Sequence, residues 1–188
     1  FGDLVITSDD ATQLRGRLES ICTDDVNYRK LRLMGLRKVM TEHTYAHRLG
    51  YIRAKLWDTA YKPQFPSVAV FAIANSVDEQ DQLICHFQRQ NHTDCTLYLF
   101  RQFGGTPSAA NAAIHEFSDL ASFNNALKTI LLNTPLLALF VPQDYYGPQY
   151  LVDLSLASTY TTAQAFGKLT QYQAKDAYCY LQQPGHQY

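Results

Sequence analysis

The apolar positions change rhythm once along the chain. Up to about residue 57 they recur at helical spacing; from residue 68 short apolar runs alternate with amphipathic stretches. In the first part, "LVITS" (4–8) reads as a short strand. Ser8 or Asp9 then starts a helix, because either side chain can accept a backbone N–H. Leu14, Leu18, Ile21 and Cys22 form that helix's apolar stripe. "TDD" (23–25) caps a second helix, with Leu31, Met34, Leu36 and Val39 on one side and Arg29, Lys30, Arg32, Arg37 and Lys38 on the wetter sides. A third helix is expected from Thr44 to about Trp57. One strand cannot make its own sheet, so this part reads as the tail of a larger domain.

The second part has the pattern of a layered fold. "VAVFAIA" (68–74), "CTLYLF" (95–100) and "PLLALFV" (135–141) are nearly continuous apolar runs, as in strands covered on both faces. "SVDEQDQLICHFQRQ" (76–90), "LASFNNALKTILLN" (120–133) and "QYLVDLSLASTY" (149–160) read as the intervening helices, the first with Val77, Leu83, Ile84 and Phe87 on one side. "AFGKLTQYQ" (165–173) and "AYCYLQ" (177–182) read as closing strands. Strands alternating with helices predict an α/β fold, a mostly parallel sheet with helices on both faces, preceded by a mainly helical N-terminal segment.

Charge sharpens the division. Residues 1–57 carry +3 and residues 58–188 carry −4, within a net −1 over 188 residues. The shift falls at "WDTAYKPQFPS" (57–67), which carries two prolines. The expected organisation is therefore a helical segment 1–57, a linker 58–66 and an α/β domain 67–188. Balanced charge gives no nucleic-acid footprint. No apolar run reaches the roughly 18 residues that span a bilayer, so no transmembrane segment is expected. The chain begins with Phe1 and shows no signal-peptide pattern, so a piece of a longer, cytoplasmic protein is expected. Cys22, Cys85, Cys95 and Cys179 have no paired spacing and read as reduced thiols. "NHT" (91–93) is a formal glycosylation sequon and is read as chance.

In sheets of this kind ligands gather at the carboxyl ends of the strands. Asp144, just past the third apolar run, could hold a divalent cation that bridges a diphosphate, or cap the turn into the next helix. "FGGTP" (103–107) could cradle a phosphate, although it lacks the P-loop Lys-Ser/Thr; otherwise it is a flexible connection. Asn75 and Asp78 could touch a base or ribose, or cap a helix. Lys168 could face an anionic ligand or lie on the surface. His43 and His47, four apart on a helix, have a zinc-chelating spacing, but "HTYAH" lacks the HExxH glutamate, so packing and surface roles are expected.

"PSVAVFAIANSVDEQDQLICHFQRQNH" resembles the opening of glycosyltransferase family 2, which has a GT-A fold. "SFNNALKTILLNTPLLALFVPQDYYGPQYLVDL" and "AFGKLTQY" resemble later blocks of that family, over roughly 66–188 in total. That span corresponds to the donor-binding half only, with the acceptor half and the usual catalytic base outside it. "FGDLVITSDDATQLRGRLESI" and "GLRKVMTEHTYAHRLGYI" resemble the C-terminal tail of a GT-B glycosyltransferase of the group-1 or spore-maturation-like type. The resemblance implies a nucleotide-sugar donor, a glycan acceptor met outside this chain, and a role in bacterial surface polysaccharide synthesis. It implies donor-site roles for Asn75, Arg101, Asp144 and Lys168, with Asp144 as metal ligand for Mn²⁺ or Mg²⁺. The family's acidic cluster is reduced to "VPQD", and Arg101 stands where an acid is usual; its guanidinium could partly replace the cation. The alternative is a degenerate, non-catalytic module that serves folding, dimerisation or positioning of neighbouring catalytic domains.

Overall fold

The computed structural model describes residues 4–61, 65–104, 111–168, 171–175 and 178–182. The chain divides into two compact units, Phe1–Gln64 and Phe65–Tyr188.

The first unit is three helices, α1 (Ala11–Thr23), α2 (Asp25–Glu42) and α3 (Tyr45–Leu56). Each start is fixed by a side chain. Asp10 accepts from the Gln13 amide, Asp24 from the Asn27 amide and Thr44 from the His47 amide. Two expectations are corrected here. The helix start falls on Asp10, not on Ser8 or Asp9. Residues 4–8 form no strand, since among the described residues no strand pairs with them; the Thr7 carbonyl is taken instead by the Arg17 guanidinium. The expected apolar stripes find little cover. Neither α1 nor α2 buries a described residue, and α3 buries only Ala54.

The second unit carries a parallel four-stranded sheet in the order β3-β2-β1-β4, with β1 Val68–Ala74, β2 Cys95–Arg101, β3 Ile114–Phe117 and β4 Leu136–Phe140. Strand β3 was not foreseen, since four residues, Ile-His-Glu-Phe, give too short a run to stand out. One sheet face presents Val70, Ala72, Leu97, Leu99 and Ile114. It packs against Leu83, Ile84 and Phe87 of α4 (Val77–Gln88) and Leu151 of α6 (Tyr150–Ser158). On α4 the buried positions are Gln80, Leu83, Ile84 and Phe87; Val77, expected on that side, is exposed because it is the first helical residue.

The other face is aromatic. Phe123 of α5 (Leu120–Asn133) touches Phe71, Phe100 and Phe117 at ring-centroid distances of 6.3, 5.3 and 5.6 Å. Helices thus cover both faces, and the α/β class expected from the pattern is the one found. The closing strands β5 (Gln171–Lys175) and β6 (Tyr178–Gln182) pair antiparallel in a separate two-stranded sheet. Lys168 lies near the start of a strand, three residues before Gln171 of β5.

Candidate functional site at the carboxyl end of the sheet

Connections from β1 run outward to β2 and β3, and then return across the sheet to β4 on the other side of β1. The direction of winding therefore reverses between β1 and β4. At such a reversal the two following loops diverge to opposite faces and leave a crevice, the usual ligand position in open α/β sheets. Residue Ala72 pairs with Phe140, so the chain leaves the two strands side by side. The loop after β1 holds Asn75, and the loop after β4 holds Asp144.

Asn75 is anchored by Glu79. Its backbone N–H and side-chain Nδ2 both donate to Glu79 Oε2, at 2.8 and 2.9 Å. Ser76 is the α4 N-cap, accepting from the Glu79 amide at 3.3 Å. Capping at this end is done by Ser76 and Glu79, with Asn75 held just outside the helix. The Ser-to-Glu spacing of three is a sequence-level capping signal that identifies Glu79 in retrospect.

Asp144 closes a turn, its amide donating to the Val141 carbonyl at 3.1 Å, and its side chain is exposed. It does not cap the next helix. The N-cap of α6 is Gln149, which makes no side-chain capping bond. Instead Asp144 adjoins an aromatic chain. Tyr146 stacks flat on Phe140 at 3.9 Å and meets Tyr150 edge-on at 5.0 Å. The Tyr146 hydroxyl accepts from the Val141 amide at 2.9 Å and reaches Asp144 Oδ2 at 3.5 Å. Burial raises the pKa of both tyrosines above the ordinary phenol range, and the Asp144 charge adds to it. Lys168 lies at the far end of the same chain, over the Tyr150 ring at 5.5 Å and ion-paired with Asp153. Two aromatic rings, Tyr146 and Tyr150, thus connect two of the expected site residues, Asp144 and Lys168.

Arg101 ends β2 beside Ala74, but it does not point to solvent. It is 3 % exposed, with Nε 3.3 Å from Glu116 Oε2, and Gln80 donates to the same oxygen at 3.2 Å. Its near anion is therefore a carboxylate of the chain itself. Glu116 and Gln80 escaped the sequence reading. The available signal was the spacing Ile114–Glu116, which puts an acid on the covered face of a strand.

Among the described residues no group of three or more His, Cys, Asp or Glu side chains comes together to hold a metal. His47 turns its ring back to Thr44 in a capping box, and His43 is the C-cap of α2, 4.0 Å from Glu42. Of "FGGTP", residues 105–107 lie outside the described residues. A buried His92–Ser155 pair, Nε2 to Oγ 2.9 Å, has the look of a nucleophile and its base. However, Nδ1 accepts from the Asp94 amide, so Nε2 carries the proton and donates to the serine. His92 also precedes β2, which puts the pair at the opposite, amino end of the sheet. The four cysteines are free thiols.

Among the described residues, no helix is long and apolar enough to cross a membrane. Comparison with protein-family models, with curated proteins and with solved structures finds no match for this chain.

Proposed function

We propose that the second unit is the donor-binding half of a glycosyltransferase of the GT-A type, taking a nucleotide-sugar, with the acceptor bound by parts outside this chain. The observation that carries the reading is the winding reversal between β1 and β4, with Asn75 and Asp144 on its two loops. The residues present fit a cation only in a limited way. One exposed carboxylate could hold a Mg²⁺ or Mn²⁺ ion only together with oxygens that the diphosphate itself would bring. Such an ion supplies neutralisation of the diphosphate charge. Asp144 would hold it, Asn75 would contact base or ribose, and Lys168, once released from Asp153, would face the phosphates.

Calorimetry tests this directly. UDP or another nucleoside diphosphate, added with Mn²⁺, is expected to release heat with the unmodified chain and none with Asp144→Ala. An unmodified chain that gives no heat with any nucleoside diphosphate would sink the proposal.

The second reading, a degenerate scaffold that positions neighbouring domains, is favoured by one observation. The cation expected to meet the phosphates, Arg101, is buried against Glu116. Self-association in sedimentation without nucleotide binding would support that reading.

A further inference from the structure

Helix α3 is turned inside out relative to a helix of a water-soluble domain. At 100° per residue, Tyr45, Leu49, Ile52 and Leu56 fall within a stripe about 60° wide. That stripe is the exposed one: the four residues are 82, 66, 52 and 73 % accessible. The opposite side, where Gly50, Ala54 and His47 lie, is the packed one. Ala54 is buried, Tyr61 packs so closely on Gly50 that a Cβ there would overlap its ring, and the His47 ring meets Tyr61 edge-on at 6.3 Å. Small residues face the chain, and large apolar ones face out.

The charges are arranged around that stripe. Arg48 and Lys55 flank it on one side and Arg53 on the other, all exposed, and α3 contains no acidic residue. Trp57, 68 % exposed, closes the helix as its C-cap, and Tyr51 lies under the Lys55 ammonium at 5.5 Å. An apolar ridge with cations along both flanks and aromatic residues at its ends matches a plane that is apolar inside and anionic at its surface. Lys and Arg stems run along apolar surface and deliver their charge to the headgroup level, and Trp and Tyr favour that boundary.

We infer that α3 is a membrane-surface anchor that lies flat on a bilayer containing anionic lipid. Charge complementarity selects this occupant: a helix with three cations and no anion is drawn to a negative surface, and an anionic bilayer offers that charge and an apolar interior along one plane. The inference concerns the first unit and is independent of the donor-site proposal.

The test uses the full chain with vesicles of phosphatidylcholine, alone or mixed with phosphatidylglycerol. Trp57 is the sole tryptophan, so its fluorescence reports on α3 alone. Expected are co-sedimentation with the anionic vesicles, release by high salt, a blue shift of Trp57 and its quenching by brominated lipid. With each surface cation contributing about a five-fold gain, R48Q/R53Q/K55Q binds on the order of a hundred-fold more weakly. L49E/I52E loses binding while keeping its far-UV dichroism, since both side chains are exposed. No sedimentation with anionic vesicles, an unquenched Trp57, or undiminished binding by L49E/I52E overturns the inference. So does capture by an acidic polypeptide in place of the vesicles.

Discussion

In the second unit Val70, Leu83, Leu97 and Leu99 are fully covered, whereas in the first the stripes of α1, α2 and α3 stay open and Ala54 alone is buried among the described residues. The residue types are the same. What differs is the partner available to each. Strands β1 and β2 are laid side by side by the crossover through α4, and the same helix then closes over them. Within the first unit the three helices offer one another little cover, and a helix gains most of its stability by burying a face. Periodicity therefore says that a helix has an apolar side; it does not say what that side meets.

Breaking the buried ion pair should have the largest effect. Arg101→Met or Glu116→Gln leaves one buried group uncompensated and should cost about 3–5 kcal/mol in urea unfolding. Arg101→Met combined with Glu116→Leu should recover part of it, since the apolar pair removes both charges but takes the Glu116 acceptor from the buried Gln80 amide. Core truncation comes next. Leu83→Ala should cost about 2–5 kcal/mol, whereas Leu49→Ala in the exposed stripe of α3 should stay within about 0.5 kcal/mol. Equal effects of the two would erase the contrast between the units.

Ser76→Ala removes the α4 N-cap and should cost about 1 kcal/mol. It also loosens the frame around Asn75, so nucleotide heat, where present, should weaken with it.

The pH dependence gives a smaller effect with a definite sign. Burial lowers the pKa of His92 below 6.5, with partial opposition from the Asp94 charge and the Pro66 carbonyl. The unfolded chain then binds the proton more readily than the folded one. Stability is fully present above about pH 6.5 and falls as pH drops from there toward the folded pKa. His86 is shifted the same way, first by burial and then by the Arg89 charge. His92→Gln should flatten part of this acid limb in thermal melts at stepped pH; an unchanged limb would remove His92 as its source. Amide exchange sharpens the same comparison, because β1 and β2 should be protected longest and α1 to α3 least.

Much of the second unit was legible because its signals are local. Runs such as "VAVFAIA" are too apolar to lie at a surface, and in the first unit Asp24 and Thr44 mark helix starts within a few residues of themselves, whereas the cap expected of Asn75 or Asp78 falls on Ser76. The α/β class and the position of Asn75 and Asp144 at strand ends follow from alternation and order alone. Strand β3, the pairing of Glu116 with Arg101, and the link from Asp144 through Tyr146 and Tyr150 to Lys168 did not. Each joins residues far apart in sequence, and only strand register and helix packing bring them together. The sequence by itself determined the helices and, β3 apart, the strands of the parallel sheet, and placed Asn75 and Asp144 at strand ends. The tertiary structure alone decided that Arg101 faces inward and that α3 faces its apolar stripe outward, because burial depends on what lies across the gap.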